Sequence, residues 1–123
     1  MKLNDLPLGE EFTEILRGGG IEELYPPQID AVESGVLDGK NLVLATPTAS
    51  GKTLVAELAI SKVLEKGKKA IYVVPLRALA SEKYQEFKKY ERLGYRVKIQ
   101  VGDLDSSKYR GRLDFDILIA TSE

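Results

Sequence analysis

The residues best equipped for chemistry lie in "ATPTASGKTL", Ala45 to Leu54 of a 123-residue chain. Small and hydroxyl-bearing residues there separate a short apolar block, Leu42 to Ala45, from a long apolar pattern that begins at Leu54. A strand, a small-residue loop and a helix start together aim backbone N–H groups and the positive end of a helix at one spot, which attracts an anion. Thr46 to Thr53 fits the phosphate-loop spacing G-x-x-x-x-G-K-[ST], with Thr46 in place of the first Gly. In that pattern Gly51 lets the backbone approach a phosphate, Lys52 reaches the β and γ phosphates, and the Thr53 hydroxyl ligates Mg²⁺. Pro47 and Ala49 in the loop and Leu54 after it on the helix count with these residues as candidate nucleotide contacts. Thr48 and Ser50 are either further hydroxyl donors or plain loop residues. The departure at Thr46 is tolerable because the first position shapes the turn, whereas Gly51 makes the close approach. An accidental Gly-Lys-Thr is the bland alternative, and the strand before it and the apolar helix after it argue against that reading.

Two further stretches carry candidates. "LYPPQ" puts Gln28 on the first turn of a helix, and a Gln amide can donate to and accept from the N6/N7 edge of adenine at once, selecting ATP over GTP. Taken alone, a solvated helix-start Gln is the more ordinary reading. Tyr25 either covers a base or is a core aromatic. Downstream, "AIYVV" runs into "PLRALASEKYQEF", so Arg77 and Ser81 lie on the first turns of a helix at the carboxyl end of a strand, the edge where open α/β sheets bind ligands. Arg77 there suits a phosphate of a polymer, although a lone surface charge is the commoner case. Asp114 and Asp116 precede the last strand instead of ending it, so they read as turn residues and not as Mg²⁺ ligands at its carboxyl edge.

The elements that position these groups follow from periodicity. "GEEFTEILRGGG" has Phe12, Ile15 and Leu16 at helical spacing before a glycine stop, and the next helix has Pro27 at its first position with Ile29, Val32 and Val36 as one stripe. From Asn41 short apolar runs alternate with amphipathic ones. Strands are expected at Leu42 to Ala45, Ala70 to Val74, Val97 to Val101 and Phe115 to Ala120, with helices at about Lys52 to Lys66 and Leu76 to Leu93. The first two strands scarcely alternate, which predicts a parallel sheet buried on both faces in an α/β layer. The helix after Lys52 is apolar nearly all round and is expected to pack deeply on that sheet. The helix from Leu76 turns Leu79, Ala80, Tyr84, Phe87 and Tyr90 to one side.

Composition sets the limits. The chain is 43% hydrophobic and 30% charged with a net charge of -1, so contact with nucleic acid has to be local and not the work of a whole basic surface. It has no Cys and no His, which excludes disulfides, thiolate or imidazole metal sites and Cys or His nucleophiles. With no signal-peptide pattern and no apolar run long enough to span a bilayer, a soluble cytoplasmic protein without membrane contact is expected.

"LYPPQ", "ATPTASGKT", "VVPLRALASEKYQEFKKYE" and "IATSE" resemble, in order and spacing, the Q-motif and motifs I, Ia and Ib of superfamily two DExH-box helicases. The wording is most similar to archaeal Ski-like DNA helicases of the Hjm (Holliday junction migration) type. The resemblance covers nearly the whole chain and implies a partial RecA-like domain over residues 41–123, preceded by a helical segment over residues 1–40 that carries the Q-motif. It implies that Gln28 reads adenine, that Lys52 and Thr53 hold the triphosphate and Mg²⁺, and that Arg77, Ser81, Thr121 and Ser122 lie near the backbone of a translocated strand. It therefore favours the site readings of Gln28 and Arg77. It further implies ATP-driven 3′ to 5′ translocation on single-stranded DNA and unwinding of forked or branched DNA in replication-associated repair. The sequence lacks the family's strand ending in Asp-Glu-x-His, its S-A-T motif and the second RecA-like domain with its arginine finger. The 123 residues are thus expected to be an N-terminal fragment that binds ATP weakly at most and hydrolyses it negligibly. The alternatives are a Ski-like RNA helicase fragment, a non-catalytic nucleotide-binding module, and a small-molecule kinase, which "PLRALA" disfavours.

Overall fold

The computed structural model describes residues 1–44, 51–101 and 114–122. The chain groups into two compact units, Met1–Gly67 and Lys68–Glu123.

The first unit is helical. Helix α1, Glu10–Gly18, has Glu10 and Glu11 in its first turn and Arg17 in its last, complementing the helix dipole, and it buries Phe12, Ile15 and Leu16. Helix α2 spans Pro26–Glu33, with Pro26 and not Pro27 at its first position. The expected stripe to Val36 is interrupted, because the helix ends at Glu33 and Gly35, at φ +102, turns the chain into a short 3-10 turn over Val36–Asp38. Helix α3, Lys52–Glu65, packs on α2 and that turn and buries Leu54, Val55 and Leu58 with Leu16, Leu24, Ala31, Val36 and Leu37. The opening "MKLNDL" joins the same core through Leu3 and Leu6. It is clipped there by Leu3 N–H donating to Glu22 O at 2.8 Å and Leu24 N–H donating to Met1 O at 3.0 Å.

The expected strand at Leu42 to Ala45 does not form over its described part, residues 42–44. Only Leu44 packs against the core, and Val43 is 93% exposed. A four-residue apolar run is a strand only when a ladder reaches it, and none does among the described residues. Ala45 lies outside them.

The second unit is a parallel sheet of β1, Ala70–Val74, β2, Val97–Gln100, and β3, Ile117–Thr121, in the order β1-β3-β2. Ala70 pairs with Ile117 and Val74 with Thr121, so the last strand in sequence is the central one in space. The crossover from β1 to β2 carries α4, Arg77–Phe87, which packs on all three strands. Tyr72 meets Phe87 edge-on at a centroid distance of 5.0 Å. The helix expected to run to Leu93 instead tightens at Lys88–Leu93 into a 3-10 helix, whose three-residue period lines Tyr90 up with Phe87 on the buried side. Within its unit β1 alternates, with Tyr72 and Val74 turned inward and Ile71 and Val73 on the other side at 61% and 60% exposure. Within its own unit the described sheet packs against α4 and, at β2, against the 3-10 helix that follows it.

Candidate functional site

Two groups of the expected residues take shape, one in each unit. In the first, Gly51 is the N-cap of α3 at φ +85, a left-handed conformation that costs any residue with a Cβ about 1–2 kcal/mol. Lys52 and Thr53 occupy the first two helical positions, Lys52 exposed and Thr53 half-buried, and the first turn holds no carboxylate to cancel the helix's positive end. Thr46, Pro47, Thr48, Ala49 and Ser50 lie outside the described residues. Leu54 turns its side chain into the core, so any contact it makes with a ligand is through its backbone.

Gln28 is not a solvated residue. It is 3% exposed, and its amide is spent on two backbone groups: Oε1 accepts from Tyr25 N–H at 2.7 Å and Nε2 donates to Gly51 O at 3.1 Å. The first bond belongs to a capping box at the start of α2 and the second ties α2 to the glycine that opens α3. A Cβ on Gly51 would stand 2.0 Å from Gln28 Nε2. Gly51 is therefore required by a close approach, and the group approaching it here is the Gln28 amide. Sequence spacing offered no sign of this, since the partners are 23 residues apart. Among the described residues each amide atom keeps one unused valence, a second lone pair on Oε1 and a second hydrogen on Nε2. Tyr25, at 63% exposure, is not a core aromatic, and its ring stands open beside Gln28's helix start. These residues fit a nucleoside triphosphate: a glycine-opened helix start without carboxylates, an ammonium beside it, a buried amide and an exposed aromatic.

In the second unit the carboxyl ends of β1 and β3 lie side by side, and Ser122 N–H donates to Val74 O at 3.0 Å. Thr121 ends β3 half-buried, Ser122 follows it exposed, and Arg77 begins α4 three residues beyond β1 with Ser81 one turn on. All four expected nucleic-acid residues therefore belong to that edge or to the helix leaving it. Asp116 is at the opposite, amino end of β3. Its Oδ2 accepts from Arg96 N–H at 2.8 Å and from Arg96 Nε at 3.3 Å. Burial opposes its ionisation, but those hydrogen bonds and the charges of Arg96 and Lys69 outweigh burial and hold the carboxyl below the ordinary value. Asp116 is a strand-start anchor, as its place in the sequence indicates.

The sequence profile of the DEAD/DEAH box helicases matches residues 25–123. The chain belongs to that family. This helicase chain is 58% identical over its whole length to the ATP-dependent DNA helicase Hel308 of Pyrococcus abyssi, of which it spans 17%. It is 56% identical to the Hel308 of Thermococcus kodakarensis, spanning 11% of it. Among solved structures, a hypothetical ATP-dependent RNA helicase from Sulfolobus tokodaii aligns with 93% of the chain and 34% of its own, at a TM-score of 0.72 and 25% identity. The DUF1998 helicase MrfA aligns with 94% of the chain and 19% of its own, at a TM-score of 0.72 and 30% identity. The α/β parallel sheet is thus that of a helicase domain, and the chain spans less than a fifth of the Hel308 helicases it matches.

Proposed function

We propose that the chain is the N-terminal part of an ATP-dependent DNA helicase that moves 3′ to 5′ on single-stranded DNA and opens forked or branched DNA during replication-associated repair. The observation that supports this most is the helix start at Gly51, Lys52 and Thr53, held by the buried Gln28 amide. Lys52 pairs with the phosphate tail, Thr53 supplies a hydroxyl to Mg²⁺, Gln28 reads the adenine edge with its remaining valences, and Tyr25 covers the base. Bound ATP with Mg²⁺ supplies the phosphoanhydride whose cleavage drives movement. Arg77, Ser81, Thr121 and Ser122 contact the backbone of the strand, which positions it without reading its sequence. In this reading residues 1–40 are the Q-motif segment and residues 41–123 open the first RecA-like domain. The rest of the helicase provides the water-positioning acid and the arginine finger, so the 123 residues alone turn over ATP negligibly.

DNA is favoured over RNA because relatives named as DNA helicases match at 56–58% identity, against 25% for the structure named as an RNA helicase. The protein acts in the cytoplasm; among the described residues no helix is long and apolar enough to cross a membrane. The test is strand displacement by the whole helicase on forked duplexes carrying a 3′ DNA or a 3′ RNA tail. Unwinding that needs ATP and the DNA tail supports the proposal, and unwinding only from the RNA tail overturns it.

A further inference from the structure

We infer that the nucleic-acid contact continues down one flank of α4, and that Lys88 at the far end of that helix is a phosphate contact positioned by Tyr84. The inference rests on the reading of Arg77 as a backbone contact. Arg77, Ser81, Tyr84 and Lys88 follow one another at intervals of four, three and four residues, which at 3.6 residues per turn confines them to an arc of about 60° on the helix. Arg77, Ser81 and Lys88 are exposed and Tyr84 is half-buried.

Charge is sorted around this stripe. The α4 carboxylates, Glu82 and Glu86, lie about 140° and 180° round from Arg77 by the same helical period, on the other flank. Lys83 makes its ion pair there, with Glu86 at 3.2 Å. Within α4 and its cap the stripe therefore carries two cations, a hydroxyl and an aromatic ring, with no carboxylate among them. Lys88 Nζ stands over the Tyr84 ring, 5.4 Å from its centroid, so the ring attracts the ammonium and restrains a side chain that is otherwise free to sweep through solvent. Basic groups interleaved with an aromatic along a track are what an unpaired strand requires. From Arg77 to Lys88 the axis advances about 16 Å, or roughly five nucleotides of a stacked strand.

The test measures binding of DNA strands of graded length by the whole helicase, with salt titrated, for Lys88→Glu, Tyr84→Ala, Tyr84→Phe, Arg77→Ala and, on the opposite flank, Lys83→Ala. Expected are a weakened affinity and a salt slope lower by about one unit for Lys88→Glu, seen only on strands that reach about five nucleotides past the Arg77 contact. Tyr84→Ala should give a smaller loss on the same strands, while Tyr84→Phe, which keeps the ring, and Lys83→Ala should bind as the parent does. If Lys88→Glu binds every length as the parent does while Arg77→Ala is weakened, the extended track is wrong and the Arg77 contact stands. If neither variant changes binding, the track falls together with the reading of the strand edge.

Discussion

Gln28 Nε2 donates to the carbonyl of Gly51 at 3.1 Å and fills the space where a side chain on residue 51 would begin. One buried amide thus ties the start of α2 to the start of α3. In the proposed helicase the same amide faces adenine, so base recognition and the shape of the phosphate-binding helix start become properties of a single side chain.

Gln28→Ala removes both hydrogen bonds and leaves Tyr25 N–H and Gly51 O without partners, at about 1–3 kcal/mol for a buried orphan. In the whole helicase, ATP affinity should fall about tenfold, the equivalent of 1.4 kcal/mol, and the preference for ATP over GTP should shrink. Gln28→Glu keeps the acceptor for Tyr25 but sets a carboxylate against the Gly51 carbonyl, so it should bind ATP no better than Gln28→Ala. Nucleotide titration checks both. Unchanged affinity and preference in Gln28→Ala would show that the amide plays no part in the site.

Gly51→Ala combines the left-handed φ with a 2.0 Å clash against Gln28 Nε2. It should lower the denaturation midpoint by more than Gln28→Ala does. The double variant should lose less than the sum of the two, since removing the amide removes the clash and leaves only the backbone strain. Strict additivity in the cycle would contradict a direct contact.

Asp116 has its folded pKa depressed by Arg96 and Lys69, so its contribution is present above the unfolded carboxylate value of about 3.9 and is lost as pH falls through the folded value. Asp116→Asn should therefore cost stability at pH 7, by about 1 kcal/mol or less because Arg96 is half-exposed. The gap between variant and parent should close in acid below that range. Urea denaturation at the two pH values measures it, and a gap that widened on acidification would refute the assignment.

What could be read from the sequence was what periodicity and punctuation control. The β1 bounds match the apolar run Ala70 to Val74, α3 begins at Lys52, and α1 stops at its glycines, because each is encoded in a window of neighbouring residues. What could not be read depended on partners distant in the chain. Leu42 to Leu44 looks like β1 in composition but has no ladder in the described structure; Leu3 and Leu6 belong to the core only because Glu22 and Leu24 clip them to it. The break at Phe87 reflects a tightening that keeps Tyr90 buried, which a helical pattern alone does not show. In the candidate site, Gly51, Lys52 and Thr53 were legible from spacing, whereas the burial of Gln28 and the exposure of Tyr25 reversed the readings that each residue type favours when taken alone.

ATP hydrolysis by the whole helicase, with and without single-stranded DNA, tests the assignment of the Gly51–Lys52–Thr53 helix start most directly when parent and Lys52→Ala are compared. Lys52→Ala should lose nearly all turnover, by 100-fold or more as for a lost electrostatic contact to a transferring phosphoryl group, while keeping most of its DNA affinity. Turnover equal to the parent's at saturating ATP would contradict the account.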